Sequence, residues 1–201
     1  MRGNKEVDTS DAGAAQPPNS TRTVPTRPRA VLFDRDGTLV RDVPYNGDPG
    51  LVEPMPAAAE TVAALRAAGI AIGVVSNQSG VGRGLLTSAQ VRAVNRRVDQ
   101  LVGPFDVWEV CPHAPEDGCD CRKPAPGLVL RAAGRLGVDP TDCVVIGDIG
   151  ADAQAAHAAG AGAVLVPTPV TRPEELPGRL VAVDLTAALC LVLQGRWRLG
   201  R

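Results

Sequence analysis

Residues 30–38 read Ala-Val-Leu-Phe-Asp-Arg-Asp-Gly-Thr, an apolar run that stops abruptly at two acidic residues. A short run that is apolar at every position predicts a strand buried on both faces, which is typical of a parallel sheet. Ligands of open parallel sheets bind beyond the carboxyl ends of the strands. The polar residues that directly follow this run are therefore the first candidates for a functional site.

Strand-like and helical segments alternate along the rest of the chain. Further apolar strands are predicted at 70–75, 105–110, 143–146 and 163–166. Helices are predicted at 57–68, from a capping box at Thr87 and Gln90 to Leu101, at 126–136 and at 152–159. This alternation predicts an α/β fold, a Rossmann-like doubly wound parallel sheet with helices on both faces. Residues 185–194 fit a closing helix, although their Leu and Val residues also fit a strand.

Length and composition limit the domain organisation. A chain of 201 residues and 20.8 kDa can bury one ordinary core, which we place at residues 29–195. Residues 1–28 are rich in Ser, Thr, Pro and Gly with almost no large apolar side chain, and this composition predicts a disordered tail. Residues 196–201 are predicted to form a short C-terminal tail.

Charge and hydropathy argue against several classes of partner. The formal net charge is -1 and no basic stripe is visible, so we expect no nucleic-acid partner. No apolar run approaches the roughly 18 to 20 residues that cross a bilayer, and the first residues lack the apolar core of a secretory signal. We therefore expect a cytoplasmic protein with no membrane partner, and we expect a monomer.

Three acidic residues follow predicted strands. Asp34 and Asp36 lie two positions apart, so in extended backbone their side chains point the same way, and Asp148 follows the strand at 143–146. Carboxylates that share a pocket repel a phosphate unless a hard cation such as Mg²⁺ neutralises them. We predict a Mg²⁺ site formed by Asp34, Asp36 and Asp148. One carboxylate would attack the phosphorus of a small phosphorylated metabolite, and another would protonate the leaving oxygen.

A lone Asp-x-Asp-Gly sequence also fits an exposed Asx turn or a calcium-type loop. The longer sequence at 34–40, Asp-Arg-Asp-Gly-Thr-Leu-Val, resembles the first motif of the haloacid dehalogenase-like phosphatases. This resemblance implies that Asp34 is the nucleophile, which becomes an aspartyl-phosphate, and that Asp36 is the general acid and base.

Three further motifs of that family follow in the family order. The resemblance implies that the Ser76 hydroxyl holds the phosphoryl group, and that residues 148–152 supply the remaining metal carboxylate. It also implies that the Lys123 ammonium neutralises the phosphate and the nucleophile. Lys123 is one of two Lys residues in the chain, although a solvated surface lysine fits as well.

Three Cys and one His fall within eleven residues of a predicted loop at 111–121. The four are Cys111, His113, Cys119 and Cys121. Together they make the Cys₃His set of a closed, tetrahedral structural Zn²⁺ site, whose binding energy would order the loop. The alternative is reduced cysteines that merely pack. Cys143 and Cys190 lie in apolar runs, which favours buried, inert thiols.

The metal loop and the strand ends together resemble the D-glycero-D-manno-heptose 1,7-bisphosphate phosphatases and the related histidinol-phosphate phosphatases. The motifs that carry this resemblance are Cys-x-His, Cys-x-Cys-Arg-Lys-Pro and Ser-Asn-Gln-Ser-Gly. The resemblance implies a site without a large cap domain. The substrate-site residues that it implies are Asp42, Tyr45, Ser76, Asn77, Gln78, Ser79, Arg122 and Lys123. Ile149 stands where heptose enzymes commonly have Lys, a difference that bears on the choice of sugar.

Alternatives remain at the level of residues and of function. Arg35 and Arg83 could contact an anionic substrate or be solvated, and His157 fits a surface or packing residue better than a ligand. The leading function is hydrolysis of a sugar bisphosphate, with histidinol phosphate as the second substrate. A non-catalytic, zinc-stabilised interaction module and a phosphotransferase that uses an acceptor other than water are the other classes.

Overall fold

The computed structural model describes residues 27–200 of the chain. The disorder predicted for residues 1–26 lies outside the described residues. Among the first described residues, Pro28 is already buried, and the Arg29 amide donates to the carbonyl of Asp142.

A five-stranded, all-parallel sheet forms the centre of the domain. Its strands are β1 (Ala30–Phe33), β2 (Ala71–Asn77), β3 (Val107–Cys111), β4 (Cys143–Gly147) and β5 (Gly162–Leu165). Their spatial order is β3-β2-β1-β4-β5, so the sheet winds outward in both directions from β1. Each predicted strand is present within one or two residues of its predicted position.

Five helices cover the sheet. They are α1 (Ala58–Ala67), α2 (Ser88–Leu101), α3 (Gly127–Leu136), α4 (Gly150–Ala158) and α5 (Leu185–Leu193). The apolar faces of α1, α2 and α5 pack on one face of the sheet, together with Val31 and Phe33 of β1. Those of α3 and α4 pack on the other face, with Ala30 and Leu32. Successive side chains of a strand point to opposite faces, and the predicted doubly wound α/β fold is confirmed.

Local sequence signals fix two of these helices. Thr87 accepts from the Gln90 amide and Gln90 binds back to the Thr87 amide, so the predicted capping box begins α2. Residues 185–193 are helical rather than extended, and Asp184 caps them by accepting from the Ala187 amide. Cys143 is buried as predicted. Cys190 is exposed, because it lies on the outer side of α5, so the predicted burial of its thiol was wrong.

The C-terminal boundary also differs from the prediction. Residues 196–200 form a short 3₁₀ helix rather than a tail, and Trp197 within it is 0% exposed. The indole packs against Gly162 at the start of β5, where an added Cβ would come within 2.5 Å of the ring. Arg198 pairs with Asp142 at 3.3 Å. The packing of one large aromatic side chain therefore extends the domain beyond residue 195.

The strand register brings the candidate residues to one edge of the sheet. Phe33, the last residue of β1, pairs with Ile146 of β4, and the Asp34 amide donates to the Ile146 carbonyl. Asp34 and Asp148 therefore leave neighbouring strands at the same level, and Asn77 ends β2 on the other side of β1. Within residues 27–200, none of the helices is both long and apolar enough to traverse a bilayer.

Candidate active site

A cavity of about 440 Å³ opens at the carboxyl edge of the sheet. It is lined by nearly all of the residues that the sequence predicted for the site. They are Asp34, Asp36, Asp42, Tyr45, Asn77, Gln78, Ser79, Arg122, Lys123 and Asp148. Ile149, which stands where the heptose enzymes commonly have Lys, lines the same cavity. The central expectation that Asp34, Asp36 and Asp148 face one cavity is therefore met.

Three buried carboxylates converge at the base of this cavity. Asp34, Asp148 and Asp152 each place a carboxylate oxygen within 4.8 Å of the others. Two glycines permit this approach. A Cβ at Gly37, whose φ is +78°, would lie 2.3 Å from Asp148 Oδ2, and a Cβ at Gly147 would lie 2.3 Å from Asp152 Cγ. Side chains at either position would displace the carboxylates.

Lys123 is buried against the same cluster. Its Nζ donates to Asp34 Oδ1 and Asp152 Oδ1, both at 2.6 Å, and to the Val75 carbonyl at 2.8 Å. The Asn77 side chain holds the lysine backbone from β2, because it accepts from the Lys123 amide at 3.0 Å and donates to its carbonyl at 3.1 Å. The alternative of a solvated surface lysine is wrong, since Lys123 is 4% exposed.

Burial and mutual repulsion destabilise the ionised form of these carboxylates. Burial raises the pKa of Asp148 to about 7, and the neighbouring Asp152 carboxylate adds to the shift. Burial also raises the pKa of Asp34, opposed by Lys123 and reinforced by Asp152, Asp36 and Asp148. Although burial acts to lower it, the pKa of Lys123 is raised by the carboxylates of Asp152 and Asp34.

The donor set fits a hard divalent cation. Three carboxylates face one ammonium, so the cluster keeps an excess of negative charge that a second cation would neutralise. An all-oxygen set is what Mg²⁺ and Ca²⁺ prefer in proteins. Within the cluster, the oxygens of Asp152 accept from Lys123 Nζ and from the Ile149 amide. Asp34 and Asp148 are therefore the carboxylates best placed to reach an ion.

The Asp36 carboxylate lies outside the cluster of Asp34, Asp148 and Asp152, and its role as a metal ligand stays a prediction. Its Oδ1 accepts from Arg35 Nε at 3.1 Å, and its Oδ2 accepts from Arg35 Nη2 at 3.0 Å and from Gln78 Nε2 at 2.7 Å. Asp152, rather than Asp36, completes the carboxylate cluster. The spacing of two acidic residues does not reveal that the intervening arginine turns back to pair with the second one.

Other predicted residues divide between the wall of the cavity and the layer behind it. Ser76 is buried and does not line the cavity; its hydroxyl accepts from Gln78 Nε2 at 2.9 Å. Tyr45 lines the mouth and accepts from Arg83 Nη1 at 2.9 Å. Arg122 Nη1 is buried and has no hydrogen-bond partner among the described residues. Since Arg122 also lines the cavity, its guanidinium brings positive charge to the wall.

Some contributors were missed by the sequence reasoning. Thr171 Oγ1 donates to the Asp148 carbonyl at 2.7 Å, and Thr168 Oγ1 lies 3.4 Å from Asp148 Oδ2. Val170 lines the cavity between them. These residues belong to a Pro-rich loop without periodicity, and only the position of β5 beside β4 brings that loop over the site. No pattern in the sequence distinguishes them.

The four predicted metal-loop residues meet beside the cavity. The Sγ atoms of Cys111, Cys119 and Cys121 lie 3.2–3.6 Å apart, and His113 Nδ1 lies 3.5 Å from Cys111 Sγ and 3.2 Å from Cys121 Sγ. None of the cysteines is disulfide-bonded. A tetrahedral Zn²⁺ with Zn–S bonds of about 2.3 Å separates its ligand atoms by a little under 4 Å. The loop therefore forms a group that can hold a metal ion through Nδ1 of the imidazole.

This loop also positions the cationic side of the cavity. Arg122 follows Cys121 directly, and its amide donates to Cys119 Sγ at 3.4 Å. Gly82 packs against the loop so closely that a Cβ would come within 2.7 Å of the Ala114 amide. The metal loop is thus fixed between the end of β2 and the residues that carry the positive charge.

Comparison with known proteins gives consistent relatives. A family model described as HAD-hydrolase-like matches residues 120–188. A D-glycero-β-D-manno-heptose-1,7-bisphosphate 7-phosphatase from Pseudomonas aeruginosa is 36% identical over 173 residues, covering 82% of this chain and 97% of that one. The α-specific counterpart from Mycobacterium tuberculosis is 39% identical over 142 residues, covering 66% of this chain and 75% of the relative.

A solved structure agrees with these relatives. The D,D-heptose 1,7-bisphosphate phosphatase from Bordetella bronchiseptica, complexed with magnesium and phosphate, superposes with a TM-score of 0.73 at 32% sequence identity. The match covers 83% of this chain and 98% of that one. The likeness therefore spans most of this chain and nearly all of the Bordetella bronchiseptica chain.

Proposed function

This chain belongs to the heptose-1,7-bisphosphate 7-phosphatase family of haloacid dehalogenase-like hydrolases, and on that premise we propose that it hydrolyses the 7-phosphate of D-glycero-D-manno-heptose 1,7-bisphosphate. It is a phosphomonoester hydrolase. The observation that carries the proposal is the contact of Lys123 with Asp34 at the base of a cavity whose wall holds Arg122. The site therefore brings together a nucleophile, a cation that neutralises its charge, and a second cationic side chain that can bind an anion.

Asp34 is the proposed nucleophile. A carboxylate oxygen of Asp34 forms a bond to phosphorus while the bond from phosphorus to the sugar oxygen breaks, which leaves an aspartyl-phosphate. Lys123 holds the carboxylate through Oδ1 and neutralises charge that would otherwise repel the incoming phosphate. Water then attacks the same phosphorus and returns Asp34 to its free form.

Asp36 is the proposed general acid and base. Its side chain is 24% exposed, in the cavity, and is held by Arg35 and Gln78. In the first step it donates a proton to the departing sugar oxygen. In the second step it accepts a proton from the attacking water, so the proton balance closes over one turnover.

Mg²⁺ fits the carboxylate cluster, with Asp34 and Asp148 as the residues that would hold it and Asp152 as the residue that fixes Lys123. When bound, Mg²⁺ supplies positive charge that neutralises the carboxylates and the phosphoryl oxygens. The magnesium in the Bordetella bronchiseptica relative supports this choice of ion. We propose that Zn²⁺ occupies the metal loop and acts structurally, since all four of its ligand positions are filled by Cys111, His113, Cys119 and Cys121.

The substrate class is supported by the size and the charge of the cavity. Its volume of about 440 Å³ falls within the range of roughly 300–1,000 Å³ that is typical of small-molecule sites. The side chains of Arg122 and Tyr45, which line the cavity, are proposed to contact the part of the substrate that is not hydrolysed. The relatives include enzymes named for either anomer, so the choice of anomer is a matter for assay.

A substrate panel tests the proposal. Free phosphate would be measured with both anomers of the heptose bisphosphate and with histidinol phosphate, each with Mg²⁺ and with a chelator. We expect phosphate release that requires Mg²⁺ and a higher kcat/KM for a heptose bisphosphate than for histidinol phosphate. A preference for histidinol phosphate would overturn the substrate. Absence of phosphate release from every ester would favour the non-catalytic module, and substrate loss without free phosphate would favour phosphotransfer to another acceptor.

Three expectations from the sequence stay predictions. They are a monomeric state, a cytoplasmic location, and the absence of nucleic-acid and membrane partners. Gel filtration and fractionation of cells would test the first two directly.

A further inference from the structure

Arg35 is a buried arginine between the candidate active site and helix α2. The residue is 1% exposed, yet its guanidinium contacts two separate elements. Nε and Nη2 donate to the two oxygens of Asp36 at 3.1 and 3.0 Å, and Nη1 donates to Asn95 Oδ1 at 2.7 Å. A guanidinium that contacts both oxygens of a carboxylate fixes the plane of that carboxylate as well as its distance.

Asn95 anchors the pair of Arg35 and Asp36 to the rest of the fold. Arg35 and Asp36 are adjacent in one loop, so their mutual contact alone would let them move together. Asn95 belongs to α2, whose Val94 and Val98 are buried in the core against the sheet. The hydrogen bond from Arg35 to Asn95 therefore ties the loop to an element that cannot shift without repacking the core.

The Asp36 carboxylate is held from a second direction as well. Gln78, directly after β2, donates from Nε2 to Asp36 Oδ2 at 2.7 Å and to Ser76 Oγ at 2.9 Å. With Arg35 behind it and Gln78 beside it, both oxygens of Asp36 are oriented while the side chain stays 24% exposed. Orientation of this kind matters for proton transfer, because a misplacement of about 1 Å can cost about 10²-fold in rate.

We propose that Arg35 and Asn95 are positioning residues, which hold the Asp36 carboxylate where it exchanges a proton with the leaving oxygen. This inference rests on the proposed function, in which Asp36 is the general acid and base. Arg35 is among the residues that line the cavity, but its Nε, Nη1 and Nη2 already donate to Asp36 and Asn95, so neither Arg35 nor Asn95 touches the reacting phosphate in this scheme. Their effect is confined to the steps in which Asp36 transfers a proton.

The leaving group distinguishes positioning from a general structural role. A sugar alkoxide must receive a proton as its bond to phosphorus breaks, whereas a nitrophenolate leaves without one. The ratio kcat/KM reports on events up to the first irreversible step, which is formation of the aspartyl-phosphate. A misplaced Asp36 therefore lowers kcat/KM for the sugar phosphate and leaves kcat/KM for nitrophenyl phosphate nearly unchanged.

The test compares Asn95→Ala with Asn95→Asp in the full-length, Mg²⁺-loaded protein. Asn95→Ala removes the acceptor for Arg35, and we expect kcat/KM for the sugar phosphate to fall by about 10-fold or more, with a change below about 3-fold for nitrophenyl phosphate. Asn95→Asp keeps an oxygen in place and is expected to recover most of the loss. Arg96→Ala, an exposed position on the same helix, is the matched control and should leave both substrates unaffected.

Distinct outcomes separate this inference from the proposed function. Equal losses with both substrates, or no loss in Asn95→Ala, would overturn the positioning role while wild-type phosphate release upholds the function. A melting temperature within a few degrees of wild type for Asn95→Ala excludes unfolding as the cause of a selective loss. If the wild-type protein releases no phosphate from either ester, the proposed function and this inference both fail.

Discussion

Lys123 Nζ lies 2.6 Å from Asp34 Oδ1, which places the only lysine of the described residues, 27–200, in direct contact with the proposed nucleophile. The same ammonium holds Asp152 at 2.6 Å. Since Lys123 is two residues beyond Cys121, the contact also joins the metal loop to the carboxylate cluster. The geometry of the nucleophile therefore depends on a loop that has little apolar core of its own.

Replacement of Lys123 by Met is expected to lower kcat by about 10²- to 10³-fold, as found when one donor that stabilises transition-state charge is removed. The cause would be loss of the cation that neutralises Asp34 and the incoming phosphate. Lys123→Arg should recover little of this loss, because a planar guanidinium cannot fill the space of a compact ammonium with three buried acceptors. Initial rates of phosphate release give the measurement. Near-wild-type rates in Lys123→Met would remove Lys123 from the mechanism.

Thermal stability is expected to depend on pH and Mg²⁺ through Asp148. Burial raises the pKa of this carboxyl from 3.8 in the unfolded chain to about 7 in the metal-free fold, so the folded state favours the protonated form. Its contribution to stability is complete below about pH 4 and is lost as the pH rises towards 7. Mg²⁺ binds the ionised form, so added Mg²⁺ should raise the melting temperature more at pH 8 than at pH 5.5.

Asp148→Asn provides the comparison for that experiment. An amide cannot ionise, so the metal-free variant should lack the part of the decline between pH 4 and 7 that Asp148 causes. The variant should also gain less from Mg²⁺ at pH 8. A Mg²⁺-induced shift of the same size at both pH values in the wild-type protein would contradict the assignment of Asp148 as a metal-binding carboxylate.

Much of the fold followed from the sequence because its signals are local. A strand such as β1 is apolar at every position, and the Thr87 capping box begins a helix wherever it is followed by an apolar stripe. Trp197 and Cys190 show the limit of such signals. A single aromatic residue among polar neighbours has no period, and α5 is apolar around most of its circumference, so neither burial could be assigned without the tertiary packing.

The site was predictable where chemistry is tied to spacing or to strand ends. Asp34 and Asp148 follow buried strands, and the four metal-loop residues carry a recognisable ligand set. The pairing of Asp36 with Arg35 could not be predicted, because it is determined by the turn of the loop and by α2 rather than by sequence distance. Thr171 reaches Asp148 across 23 residues, and only the packing of β5 on β4 determines that contact.

Phosphatase activity is expected to depend on Zn²⁺ in the metal loop, although the loop does not carry the proposed nucleophile. One Zn²⁺ per chain should be found by elemental analysis, and Cys119→Ser should lose it. Because Arg122 and Lys123 follow the last ligand, the loss should lower kcat by about 10-fold or more even with Mg²⁺ in excess. A strong chelator should have the same effect on the wild type, and Zn²⁺ together with Mg²⁺, but not Mg²⁺ alone, should restore it. Full activity in a Zn²⁺-free protein would show that the loop does not need the metal.

Trp197→Ala is expected to lower the free energy of unfolding by about 3–5 kcal/mol, the range for deletion of a large aromatic side chain from a core. The indole is fully buried between β5 and the core on the α1, α2 and α5 face of the sheet, so its removal leaves a cavity beside Gly162. Urea denaturation gives the measurement, and Val183→Ala is the control, because Val183 is 85% exposed and should change stability by less than about 0.5 kcal/mol. Activity well below the unfolding transition should be unchanged, since Trp197 is remote from the cavity residues. Equal stability of Trp197→Ala and wild type would contradict the structural role of Trp197 and would support the sequence-based prediction that residues 196–201 form a tail.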